Sequence, residues 1–277
     1  MRLSAFVVFA ILVSAVLGAY AGEEVSYDLS DPAEMVLAVE NNGTRFSWQL
    51  QYGQARQRVI KHLAAGENQS ALQAAKMQFI LCPPDELSIT AAIDSVKGAL
   101  RALDANDTRA NAFEEFARLG PAGPDKQKGT PDDLDNPIAD VAPQAPPRDE
   151  AYYREVDRTM DARSAISEEW QTRWYETEKI FARLDGGAFD EALRLAAAAL
   201  AESIKHPHGN VDGDWELQRN QDIIDRIDVS LGVVYRARSG TVAGMFEFIE
   251  SCKEFALYGP AGKDDRMGTA DDLAVPI

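Results

Sequence analysis

GPAGPDKQKGTPDDLDNPI, from Gly120 to Ile138, is written a second time as GPAGKDDRMGTADDLAVPI, from Gly259 to Ile277. Aligned without gaps, the copies agree at 12 of 19 positions, including GPAG, GT, DDL and the closing Pro-Ile. Each follows an aromatic, acidic stretch with helical character, FEEFARL ending at Leu119 and CKEFALY ending at Tyr258. Self-similarity at a fixed spacing sets the architecture before any single residue does, so the chain reads as a duplicated module.

Working outward from the copies, helical periodicity dominates and no alternating strand emerges. In the first half Trp48, Tyr52, Ala55, Val59 and Leu63 form one apolar stripe, ended at Gly66. A second stripe of Ala71, Leu72, Ala75, Phe79 and Ile80 stops at Pro83-Pro84, because proline lacks the N–H and clashes with the preceding turn. Ile89, Ile93, Val96, Leu100 and Leu103 predict a third helix; Phe113, Phe116, Ala117 and Leu119 a short fourth. The second half repeats the order: Trp170, Trp174, Thr177, Phe181 and Leu184; a break at Gly186-Gly187; then Phe189, Ala192, Leu193, Ala196, Ala199 and Leu200. Ile224, Ile227, Leu231 and Val234 follow, and Val242, Phe246, Ile249 and Phe255 lead into the second copy. The expectation is an all-α fold, a tandem duplication of a helical-hairpin module. Each module ends in a Gly/Asp-rich loop, with module 1 at residues 45–138 and module 2 at 151–277. Between them the proline-rich residues 139–150 predict an extended linker. From Asp149 to Leu184 the pattern is helical and charged, with Ser164 and Ser167 as places to stop and restart.

Residues 1–21 carry Arg2, an apolar run from Ala5 to Leu17 and Ala19-Tyr20-Ala21, the order of a secretory signal. The run is shorter than the ~20 residues of a stable membrane anchor. The expectation is therefore export, to the periplasm, cell envelope or exterior, without membrane insertion after cleavage. Residues 22–44, broken at Asp31-Pro32 and Asn41-Asn42-Gly43, read as a lead-in. The formal net charge of -17 becomes more negative still when Arg2 is removed. Such a balance argues against nucleic acid and anionic membranes as partners, and favours cationic partners or divalent ions.

The duplicated loops hold the best-placed chemistry. Asp125, Thr130, Asp132, Asp133 and Asp135 offer oxygens in the first copy; Asp264, Asp265, Thr269, Asp271 and Asp272 do so in the second. Calcium takes six to eight oxygens, and glycines let backbone carbonyls join. The pattern looks like the short Asp/Gly loops of exported bacterial proteins, a resemblance that implies calcium as a bound ion. The EF-hand spacing is absent, and Lys126 and Lys128 lie inside the first copy. The same residues also fit a helix start, with Thr130 as N-cap, Pro131 at N1 and acids at N2 and N3; Thr269-Ala270-Asp271-Asp272 reads alike. Both readings stand at this point.

Other candidates are thinner. His206, His208, Asp212 and Asp214 could ligate zinc but equally suit an exposed loop. Tyr152, Tyr153, Trp170, Trp174 and Tyr175 could line a groove, although Trp170 and Trp174 share the helix face expected to pack. Cys82 and Cys252, one per half, allow a disulfide or two buried thiols. Asn42, Asn68 and Asn106 begin glycosylation sequons. No nucleophile elbow, zincin, Walker A or dinucleotide motif is present, so the reading is non-enzymatic, with carboxylates on the helices as the enzymatic alternative.

Around the second inter-helix turn, LDGGAFDEALRLAAAAL resembles a tetratricopeptide repeat through Gly187, Phe189, Asp190-Glu191-Ala192-Leu193, Ala196 and Ala199. The first half keeps Gly66, Ala71-Leu72 and Ala75. The resemblance implies a helical-repeat scaffold whose surface binds another protein.

Overall fold

The computed structural model describes residues 47–167, 169–205 and 214–276. The expected signal segment, the lead-in and the zinc candidates His206, His208 and Asp212 lie outside the described residues. Among those described are nine α-helices and no strand. The first half contributes α1 (Ser47–Ala65), α2 (Asn68–Leu81), α3 (Glu86–Leu103) and α4 (Arg109–Leu119). Then come α5 (Glu150–Ser164), α6 (Glu169–Asp185), α7 (Phe189–Lys205), α8 (Asp214–Ser239) and α9 (Met245–Tyr258). Consecutive helices pack as neighbours within α1–α4 and within α5–α9; α1 also meets α3, and α6 meets α8. Among the described residues the helix α5 has no counterpart in the first half. Across the halves α2 touches α8 and α1 touches α6.

Local chemistry places the ends. Gly66 (φ 73°) and Gly187 (φ 76°) turn the chain at equivalent hairpins, using the left-handed conformation that glycine adopts without strain. The carboxylates of Asp85 and Asp149 accept the N–H of Ser88 and Tyr152, each at 2.8 Å, and so cap α3 and α5.

The helix α2 is buried almost all round, with Ala71, Leu72, Ala74, Ala75, Met77, Phe79, Ile80 and Leu81 inside. A helix apolar on every side must be central, and its alanines let neighbours come close. One core joins Leu72, Phe79, Ile93, Phe113, Ile138 and Val141. The other crosses the halves, joining Ala55, Met77, Ile80 and Leu81 to Phe181, Leu193, Leu231 and Val234.

Two expectations need correction. The stripe assigned to the last helix holds at Ile249 but not at Phe246: Met245, Ile249, Cys252 and Ala256 are buried, whereas Phe246 is 60% exposed. The helix begins only after left-handed Gly244, so a count begun at Val242 starts outside it. The proline-rich linker opens in a turn, continues without helix or strand, and does not stand free. Val141 is buried, Lys76 Nζ donates to the carbonyls of Ile138 (2.9 Å) and Val141 (2.6 Å), and the Gln144 N–H donates to Gln73 O (3.0 Å). It is a strap lying across α2. Burial lowers the Lys76 pKa, against the opposing charge of Asp140, and the strap's carbonyls supply the polar partners a buried ammonium needs.

Candidate functional site

The two copies of the opening motif fold alike, bond by bond. The N–H of Gly120 and of Gly259 returns to Phe116 O and Phe255 O, each at 2.8 Å, ending α4 and α9. Left-handed backbone follows at the same places: Gly123 and Gly262, Lys126 and Asp265, Gly129 and Gly268. The Asp125 N–H donates to Asp132 Oδ2 at 3.1 Å, matching Asp264 to Asp271 Oδ2 at 3.0 Å. The Gly129 N–H donates to Asp133 Oδ2 at 2.8 Å, matching Gly268 to Asp272 Oδ2 at 2.7 Å. Asp125 and Asp264 accept from the amides of Gln127 (2.7 Å) and Arg266 (2.9 Å). The hydroxyls of Thr130 and Thr269 donate to Asp132 Oδ1 (2.7 Å) and Asp271 Oδ1 (2.6 Å). A β-carbon on Gly123 or Gly262 would stand 2.0 Å from the carbonyl oxygen of Asp132 or Asp271, so no other residue fits either position.

These bonds explain two outcomes. No helix starts at Thr130 or Thr269, contrary to the capping expectation. The acids turn back onto amides of the loop, and the N–H of Leu134 and Leu273 are taken by Pro121 O and Pro260 O, each at 3.0 Å. The second outcome is that the carboxylates are held by their own loop. Oxygens of Asp125, Asp132, Asp133, Asp264, Asp271 and Asp272 already accept loop N–H groups. Asp135 and Asp265 are exposed, and among the described residues no three His, Cys, Asp or Glu side chains converge. The hydrogen bond from Thr130, then the Asp125 amide, holds the Asp132 carboxyl below its ordinary value of 3.8; Thr269 and Asp264 do the same for Asp271.

The remaining candidates fall apart in space or into packing. Cys82 and Cys252 are free and buried; burial pushes the Cys252 thiol up to about 11. Tyr152 and Tyr153 meet edge to face at 5.5 Å, with Arg148 over the first ring and Arg183 over the second. Burial pushes the Tyr152 hydroxyl up to about 12. The Trp174 indole donates to Glu178 Oε1 at 3.0 Å.

Sequence reasoning missed a belt of buried charge along α6. Glu178 pairs with Arg226, whose Nε donates to Thr177 Oγ1 at 2.8 Å. Arg183 grips Asp157 at 2.6 and 2.7 Å, Lys179 holds Asp161 at 2.6 Å, and Arg148 meets Asp185 at 3.1 Å. Burial pushes the Asp185 carboxyl up, against Arg148 and Arg58. The signal was a polar residue in phase with buried apolar ones, as Arg226 is with Ile223 and Val233 on α8. Each of these acids faces a cation, which makes the belt a structural network.

Also missed was a groove of about 520 Å³ between α7 and α9. Leu193, Ala197 and Leu200 form one wall, Cys252 and Ala256 the other, and Pro276 lies at the rim. The sequence held a trace of it. Counting from Gly66 and Gly187, Phe79 is replaced by Leu200; counting from Gly120 and Gly259, Phe113 is replaced by Cys252. In the first half those two rings meet edge to face at 5.3 Å. Compared with known protein families, curated proteins and solved structures, the chain matches none.

Proposed function

We propose that this protein is a non-catalytic, exported helical scaffold that binds another polypeptide in the α7/α9 groove, with its halves acting as tetratricopeptide-like modules. The observation that carries the reading is the groove: an apolar-walled opening between two packed helices on the outside of the fold. Its volume lies in the range of sites that enclose a ligand, and the side chains walling it, apart from the rim charges, bring area rather than chemistry. Among the described residues the calcium alternative has no converging donor set in its support, and the enzymatic alternative has no acid pair on the groove lining. Asp190 is the one carboxylate side chain on the groove lining.

The test is selection of a displayed random-peptide library against the full chain, with Ala197→Trp as counter-target. Ala197 is half-buried at the groove wall, so the indole fills the opening without entering the core. Peptides that bind the parent and lose at least tenfold in affinity on the variant support the scaffold. Failure to enrich any, or binders indifferent to the variant, would sink it.

A further inference from the structure

The first half carries the groove's counterpart in a filled state, and what fills it identifies the chemistry the open one takes. We propose that the α7/α9 groove binds a proline-led, turn-forming, acidic–apolar peptide of the kind written in this chain as Pro137-Ile138-Ala139-Asp140-Val141. This rests on the scaffold reading above and names the class of partner.

The argument begins with position. The groove wall on α7 is built from Leu193, Arg194, Ala197 and Leu200. Counted from the equivalent turns at Gly66 and Gly187, these correspond to Leu72, Gln73, Lys76 and Phe79 on α2. That face of α2 is the one the strap covers. Lys76 Nζ reaches the carbonyls of Ile138 and Val141, Gln73 O accepts the Gln144 N–H, and Ile138 and Val141 enter the core beside Leu72 and Phe79. The backbone between them is turned, the Ala139 N–H donating to Asn136 O and the Val141 N–H to Ile138 O, each at 3.2 Å, which brings two apolar residues three apart onto one side. A proline before them sets that backbone in advance.

The second half is prepared for the same kind of segment. Val275 and Pro276, the counterparts of Asn136 and Pro137, lead along the second loop to the rim. The walls are trimmed, Leu200 for Phe79 and Cys252 for Phe113, so α7 and α9 pack directly while an opening remains. Charge is rearranged rather than lost. In the strap Asp140 is felt by Lys76. In the groove Ala197 takes the Lys76 place, and the cations stand at the rim: Arg194 in the Gln73 place and Arg238 opposite. Arg194 is 70% exposed and 3.9 Å from its nearest acid, Glu191, so it can turn to an incoming carboxylate at little cost.

The experiment uses the full chain and a fluorescein-labelled peptide, Asn-Pro-Ile-Ala-Asp-Val-Ala-Pro-Gln-Ala, read by anisotropy. We expect saturable binding, lost at least tenfold on Ala197→Trp. Replacing both apolar anchors of the peptide by Asp should abolish binding. Arg194→Glu, which changes only an exposed side chain, should weaken it severalfold and so guards against a misfolded tryptophan variant. Alkylation of Cys252 should slow when the peptide is bound. Binding that a scrambled peptide reproduces, that both protein variants leave unchanged, or that never appears overturns the inference. If library selection yields groove binders and this peptide still fails, the partner chemistry is wrong and the scaffold stands. If both fail, both fall.

Discussion

At the residue scale, the acids of the repeated loops act as hydrogen-bond acceptors for their own backbone. Asp271 takes the Thr269 hydroxyl at 2.6 Å and the Asp264 amide at 3.0 Å. Both favour the charged carboxylate, which therefore titrates below 3.8 in the folded chain. The sign follows: the folded state binds this proton less readily than the unfolded one. Its contribution to stability is thus complete above the unfolded value and disappears as pH falls through the lower folded value. Carbon-detected NMR titration of the Asp271 carboxyl should give a midpoint below 3.8, and Thr269→Val should move it back towards that value, because the hydroxyl is the largest cause. A midpoint at or above 3.8 in the parent would mean that the loop bonds are not formed. The sequence displayed these acids and the threonines beside them, but their direction was not legible. An Asp after Thr-Pro or Thr-Ala reads as a helix start or a metal ligand until the position of the loop's amides is known.

At the scale of elements, periodicity gave eight of the nine described helices and many of their buried faces, because an apolar stripe at steps of three and four has few other uses. It left open whether Asp149 to Leu184 held one helix or two. The stretch between Asp149 and Leu184 divides after Ser164, one of the two serines that interrupt it. The miss at α9 is local: Met245 rather than its neighbour Phe246 shares the buried face with Ile249, and adjacent residues on a helix lie about 100° apart. This face can be checked directly. Met245→Ala should cost about 2–5 kcal/mol, the range for truncating a fully buried large side chain, and it also removes the sulfur facing Arg236. Phe246→Ala, at a side chain 60% exposed, should stay within about 1 kcal/mol. Urea denaturation of the two variants distinguishes the phases, and a larger loss at Phe246 would restore the stripe read from Val242. The strap was legible only in part. Its prolines announced backbone without helix or strand, but Lys76, a residue that ordinarily marks a solvated face, gave no sign that it binds the strap's carbonyls.

At the scale of the whole molecule, the duplication invites a picture of two modules joined by a spacer, and the cores argue for a single cooperative body. Ala55, Met77, Ile80 and Leu81 belong to the same cluster as Phe181, Leu231 and Val234, so removing either half exposes apolar surface of the other. Arg236 fastens this junction. It is 1% exposed, and its guanidinium donates to Ile80 O at 3.0 Å and Cys82 O at 2.6 Å, with Met245 Sδ on the third nitrogen. Those carbonyls lie at the C-terminus of α2, where unpaired acceptors and the helix dipole favour a cation. A planar fork reaches several acceptors at once; an ammonium on a flexible stem does not. Burial lowers the Arg236 pKa, so the carbonyl bonds must offset a desolvated charge, and losing part of the set is costly. Arg236→Lys should therefore destabilise by about 2–4 kcal/mol. In a chain of this size that lowers the thermal midpoint by roughly 4–16 °C. The parent should unfold in one transition, with far-UV circular dichroism and tryptophan fluorescence coinciding, and the variant should shift that transition intact. Two resolved transitions, only one of them moved by the substitution, would mean that the halves fold independently and that the shared core does not couple them.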